Sequence, residues 1–146
     1  MDGIVVGVDD SPGAQRALEW ALAEAAVHQW TVRLVHAIPP IQSLYPYGMG
    51  EMVWLDDINE GAEKAARELL DAALAQAGGA PAGVAVEYVT RFAPAANLLV
   101  EESRGKALLV VGSRGRGGFT GLLLGSVSQQ VAHHADCPVV VIPAER

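Results

Sequence analysis

The chain has 146 residues, 51% of them apolar and 18% charged, and its 10 Lys+Arg against 17 Asp+Glu give a formal net charge of −7. That length suits one domain, residues 1–146, able to bury about 68–70% of its unfolded surface, and the apolar content excludes intrinsic disorder. The acidic balance argues against a nucleic-acid or anionic-membrane binder, because both need a basic face.

Met1-Asp2-Gly3 leads straight into an apolar run with no basic leader, so no secretory signal is expected. No apolar run approaches the ~18 residues of a membrane span, and the expectation is a cytoplasmic protein. Ile4-Val5-Val6-Gly7-Val8 reads as a buried strand. Asp9-Asp10-Ser11-Pro12 follows it and starts a helix, with Ser11 as cap and Pro12 at the first helical position. Ala14, Ala17, Leu18, Ala21, Leu22 and Ala25 continue at helical spacing. Thr31 to Ile38 is the second strand. Pro39 to Met52 holds three prolines, two glycines and two tyrosines without a period and reads as a loop.

A long helix is expected from about Asp56 to Ala77, with Ile58, Ala62, Ala65, Leu69, Ala72 and Ala73 on one side and Gly78-Gly79 as its stop. Val84 to Val89 is the third strand. Its one-sided polarity, Val84, Val86 and Tyr88 against Ala85, Glu87 and Val89, suits a sheet edge. Ala93-Pro94 opens a third helix that Gly105 closes. Ala107 to Val111 is the fourth strand and runs into Gly112-Ser113-Arg114-Gly115-Arg116-Gly117-Gly118, the densest glycine stretch in the chain. A fourth helix runs from near Ser126 to about Ala135, and Cys137 to Ile142 is the fifth strand.

Strands alternating with helices imply an α/β fold: an open, mostly parallel five-stranded sheet with helices on both faces. Val139-Val140-Val141-Ile142 is apolar on both faces, so this strand is either central or covered by another chain.

In such sheets ligands bind beyond the carboxyl ends of the strands, where the strand order reverses. Here the first strand ends in Asp9, and the fourth ends in the glycine loop that leads to Gly125-Ser126-Val127-Ser128 at a helix start. A helix N-terminus offers free N–H groups and about half a positive charge to a phosphate. Glycines allow close backbone approach, Ser126 and Ser128 offer hydroxyls, and Arg114 and Arg116 add charge suited to phosphate oxygens. A Walker A loop is excluded because Lys106 precedes the glycines. The dinucleotide fingerprint fails because Thr120 stands where its last glycine belongs.

The spacing Gly112-x2-Gly115-x9-Gly125-Ser126 resembles the nucleotide-binding pattern of the universal stress protein family. The likeness extends over nearly the whole chain. It takes in Val6-Gly7-Val8-Asp9-Asp10-Ser11, Leu34-Val35-His36-Ala37, Val110-Val111-Gly112-Ser113-Arg114-Gly115 and Ala135-Asp136-Cys137-Pro138-Val139.

The resemblance implies a Rossmann-like sheet of order 3-2-1-4-5, with strand five at an edge and paired antiparallel through Val139–Ile142 in a homodimer. It also implies ATP with Mg²⁺ as ligand. The adenine would sit near Gly7, Val8 and Val110, with the backbone of Ala37 at its edge. Asp9 would lie near the ribose or the ion. Gly112, Ser113, Arg114 and Gly115 would wrap ribose and phosphates, with Arg116 and Gly117 nearby, and Gly125, Ser126, Val127 and Ser128 would hold the phosphate chain. Asp10 departs from the glycine that many relatives carry there.

Other residues have plainer readings. Adjacent His133 and His134 point about 100° apart on a helix and make poor metal co-ligands. His36 reads as a core or pocket residue, and the lone Cys137 as a small apolar edge residue. The function expected is an ATP-binding, stress-responsive regulatory dimer in which ATP acts as a conformational ligand. The alternatives are a slow ATPase or an enzyme that phosphorylates itself on Ser126, Ser128 or a loop residue, and a scaffold whose glycines are structural only. Hydrolysis needs a water-orienting group, and the loop holds no obvious Gln, Glu or His for that role.

Overall fold

A computed structural model describes residues 2–39, 52–114 and 124–143, and for 52–56 the backbone alone. In chain order the elements are β1 (Ile4–Gly7), α1 (Pro12–His28), β2 (Val32–Ile38), α2 (Met52–Gln76), β3 (Val86–Phe92), α3 (Ala95–Glu102), β4 (Leu108–Gly112), α4 (Ser126–His134) and β5 (Val139–Ile142). The strands form one sheet of order β3-β2-β1-β4-β5, and every neighbouring pair is parallel. The edge positions of β3 and β5 agree with the expectation.

The period of two along the central strands divides the core. Ile4, Val6, Leu34 and Val110 face α1 and α2, joined by Leu18, Leu22 and Leu70. Val5, Val35, Leu109 and Val111 face α3 and α4, joined by Leu98, Leu99 and Val131. Val5, Val6, Leu34, Leu109 and Val110 are fully buried, each worth about 1.5–3 kcal/mol of transfer free energy. Glu102 ties α3 to the sheet by receiving hydrogen bonds from Arg33 on β2 and Arg91 on β3, both at 2.9 Å.

Three local expectations need correction. The third strand lies later than Val84–Val89, at Val86–Phe92, because pairing with the whole of β2 draws in Thr90, Arg91 and Phe92. The second helix begins at Met52 rather than near Asp56. Its buried stripe is Ala66, Leu70 and Ala73, while Ala65 and Ala72 are exposed. Alanines burden neither face of a helix enough to orient it, so the large Leu70 decides which side turns inward. The helix stop is as expected, since Gly78 (φ +96°) and Gly79 (φ +82°) take the left-handed conformation that ends it.

Candidate functional site

The β1–α1 and β4–α4 connections leave the sheet toward opposite faces and open a hollow of about 550 Å³ between the ends of β1 and β4. This is the point of strand-order reversal where ligands bind in open α/β sheets. Gly7, Val8, Asp9 and Asp10 line it from the end of β1, and Val35, His36 and Ala37 from β2. Leu99 and Ala95 come from α3, Val111, Gly112 and Arg114 from the end of β4, and Gly125 to Ser128 from the start of α4. A smaller groove of about 270 Å³ lies away from the strand ends, between α3 and α4, beside Asn97, Arg104 and His134.

Most of the residues expected at a nucleotide site therefore meet in one place. Gly115, Arg116 and Gly117 lie outside the described residues, as does most of the loop after β2. Val110 is an exception: its side chain is fully buried on the α1 side, and its neighbour Val111 forms the wall instead. Period-two alternation makes the two positions mutually exclusive for one face. Ser113 is also buried, and it works through its backbone, as described below.

Close approach explains two glycines. A Cβ on Gly112 would lie 2.8 Å from the carbonyl carbon of Gly13, and one on Gly13 would lie 2.8 Å from the carbonyl oxygen of Arg114. Gly112 is thus required where the first turn of α1 crosses the end of β4, whatever occupies the hollow. Sequence reasoning missed Gly13. Its signal is a glycine just inside a helix start, where it costs about 1 kcal/mol relative to alanine unless packing demands it. At Gly7 a Cβ would come within 3.1 Å of Leu99 Cδ1, so Leu99, also unforeseen, presses on the floor of the hollow.

The polar groups fall into two sets. At α1 the Ala14 amide and both donors of Ser11 are satisfied internally. Ser11 Oγ accepts from the Ala14 amide at 3.2 Å, and Asp9 Oδ1 accepts from both the Ser11 amide (2.8 Å) and the Ser11 hydroxyl. At α4 the cap position is Gly125, with φ −73° and ψ 171°, and no side chain caps the helix. Ser126 is exposed at this opening. Ser128 is 2% exposed, and its hydroxyl donates to the carbonyls of Ser113 (2.9 Å) and Gly125 (3.1 Å). The expected phosphate contact at Ser128 is therefore occupied by the protein's own backbone. His36 is bonded through Nδ1 to the carbonyl of Val8 at 2.8 Å, which makes Nδ1 the protonated nitrogen. Among the described residues, Arg114 Nε is buried without a hydrogen-bond partner.

The family is decided by comparison with known proteins: the model of the universal stress protein family matches residues 1–143. The chain belongs to the universal stress protein family. It is 39% identical over 146 residues to universal stress protein Rv2623 of Mycobacterium tuberculosis H37Rv, covering 98% of this chain and 48% of that protein. The chain spans about half the length of the curated relatives it matches. A universal stress protein solved in complex with cAMP superposes with a TM-score of 0.65 at 26% identity, covering 97% of this chain and 96% of that one. The universal stress protein of Archaeoglobus fulgidus solved with dAMP has the same fold (TM-score 0.62, 24% identity, 97% and 98% covered). Among the described residues, no helix of this family member is long and apolar enough to cross a membrane.

Proposed function

We propose that this universal stress protein holds an adenine nucleotide, ATP with Mg²⁺ on its phosphates, in the hollow between β1 and β4. It acts there as a nucleotide-dependent stress-response regulator without substantial catalysis. The observation that carries the reading is Arg114. Its buried Nε has no acceptor among the described residues, and it lines the same hollow as the uncapped start of α4. An unsatisfied buried donor costs about 1–3 kcal/mol, a cost that an arriving phosphate oxygen removes. Helix amides and guanidinium together favour a phosphate over a carboxylate or a neutral group.

Gly7, Val8, Val35, Ala37 and Leu99 supply an apolar floor for the base, and the related protein solved with cAMP supports adenine there. Asp9 Oδ1 is taken by Ser11, which leaves Oδ2 for a ribose hydroxyl or for the ion. Mg²⁺ would arrive on the triphosphate, with Asp9 beside it. Arg114 and the open start of α4 stand together on one side of the hollow, and the role of the site is to change the conformation or the partner surface of the protein when filled.

The same reading gives a homodimer paired through Val139–Ile142. β5 is an edge strand whose Val139, Val140 and Val141 are only half-buried, and an apolar edge is stable in solution only when covered. Val140→Lys should yield monomers in light scattering. A reducing, cytoplasmic location suits the same reading, since a single cysteine can form no internal disulfide.

The test is to denature the purified protein, identify any released nucleotide, and titrate the stripped protein with ATP. Binding below millimolar concentration is expected, and an adenine nucleotide should co-purify. If ATP neither co-purifies nor binds at millimolar concentration, the hollow is an empty scaffold and the reading fails. Phosphate release at saturating ATP and Mg²⁺ separates the enzyme alternative: repeated turnover within minutes, abolished by Arg114→Ala, would replace the regulator with an ATPase.

A further inference from the structure

We propose that Ser128 is a positioning residue of the nucleotide site: its hydroxyl pins the start of α4 to the end of β4 so that the helix amides face the phosphates, and that hydroxyl touches no ligand. This deepens the nucleotide reading and rests on it.

The hydroxyl has one proton. It is shared between the carbonyls of Ser113 and Gly125, at 2.9 and 3.1 Å, in a side chain that is 2% exposed. No donor remains for a phosphate, and the oxygen lone pairs do not attract an anion. What the two bonds do is structural. Ser113 and Gly125 are the two ends of the glycine loop, and the Gly125 amide also donates to the Ser113 carbonyl. A single carbonyl oxygen thus receives two donors from the start of α4. Ser113 is itself fixed from the other side, because its amide donates to the carbonyl of Ile142 at the end of β5 (2.8 Å). The neck of the loop is therefore bonded to the sheet and to α4 at once.

This matters because Gly125 brings no side chain to orient the helix entrance. A glycine cap leaves the first-turn amides open to a ligand but lets the entrance relax. Ser128, one turn further along, restores that lost rigidity from behind without covering the amides. Holding the donors in place before the ligand arrives lowers the ordering cost of binding.

The test compares Ser128→Ala and Ser128→Thr with the unaltered protein, using adenosine and AMP as probes in calorimetric titrations. Adenosine keeps the base and ribose and lacks the phosphate. Ser128→Ala should bind AMP about fivefold or more weakly, the loss of one hydrogen bond's worth of preorganisation, and adenosine within about twofold of the unaltered protein. Ser128→Thr, which keeps the hydroxyl, should restore the AMP affinity. Amide exchange without ligand gives a second readout: the Gly125 amide should exchange faster in Ser128→Ala, while the amides of β1 keep their protection. Equal weakening of adenosine and AMP, or unchanged AMP affinity, would overturn the proposal. So would unchanged exchange at Gly125. Absence of both AMP and ATP binding to the unaltered protein would instead sink the nucleotide reading, and the Gly125 exchange would still report on the pin.

Discussion

Helices α1 and α4 begin at the same rim of the sheet, one after β1 and the other after β4, and they treat their free amides in opposite ways. At α1 the chain supplies its own acceptors, since Ser11 caps Ala14 and Asp9 caps Ser11. Its first turn is also pressed against Gly112 and the Arg114 carbonyl. At α4 the cap is a glycine without a side chain, and the buried hydroxyl of Ser128 inside the helix is turned back to the loop neck. One start is closed to make structure and the other is left open. Proximity to a hollow therefore does not make a polar residue a ligand contact. What distinguishes the two is whether the donors are already spent.

The largest effect should come from the contact that joins the two starts. Gly112→Ala would force a Cβ to within 2.8 Å of the Gly13 backbone, which has no side chain to move aside. We expect a loss of about 1–3 kcal/mol in urea denaturation, with weakened nucleotide binding as a consequence. An unchanged midpoint would remove the close-packing explanation of this glycine. Arg114→Ala should do the reverse. Titration should show phosphate-bearing ligands bound about 10- to 100-fold more weakly and adenosine unchanged, since charged hydrogen bonds are worth about 1.5–3 kcal/mol. The ligand-free protein should lose no stability, because Arg114 Nε has no partner to forfeit among the described residues.

A crossed pair sharpens the contrast between the helices. Ser11→Ala removes a filled cap and should cost about 1 kcal/mol of stability, with a modest loss of AMP affinity because Ser11 lines the hollow and holds Asp9. Ser126→Asp places a carboxylate at the open start of α4. It should stabilise the ligand-free protein by about 0.3–1 kcal/mol through dipole complementarity, and abolish AMP binding by occupying the anion's place. If Ser11→Ala weakens AMP binding as much as Ser126→Asp does, the division into a closed and an open helix start is wrong.

The architecture was legible because it rests on strong local signals. Continuous apolar runs such as Ile4-Val5-Val6 and Val139-Val140-Val141 mark parallel strands, and Ser11-Pro12 and Gly78-Gly79 mark helix ends. The strand order came through the family likeness, since periodicity carries no information on which strands are neighbours. The α2 stripe was misplaced because an alanine-rich helix has no steep polarity gradient, and only packing around Leu70 orients it. At the site, the glycine spacing singled out Gly112 and Gly125, which line the hollow between β1 and β4. The separate roles within it were hidden. Ser126 and Ser128 look equivalent in sequence, yet one is exposed and the other is bonded twice to backbone. The packing demand on Gly112 was hidden because its partner, Gly13, lies far away in the sequence, and no local pattern reveals such an approach.

The smallest effect lies on a surface remote from both helix starts and serves as their control. Tyr88 on β3 donates its hydroxyl proton to Asp71 Oδ1 on α2 at 2.8 Å. Burial, then that hydrogen bond, then the carboxylate's charge push its pKa from 10.0 up to about 12. The folded state thus holds the phenolic proton more tightly than the unfolded chain does. The resulting stability is fully present below pH 10, declines as pH rises from 10 toward 12, and is gone above that. Tyr88→Phe should flatten that part of the stability–pH curve relative to the unaltered protein, measured by urea denaturation between pH 9 and about 12. Below pH 9 it should leave AMP affinity unchanged, because Tyr88 does not line the hollow. A Tyr88→Phe protein that bound AMP more weakly at neutral pH would mean that the site depends on the packing of α2 against β3, and that the contrast between α1 and α4 does not by itself set the affinity.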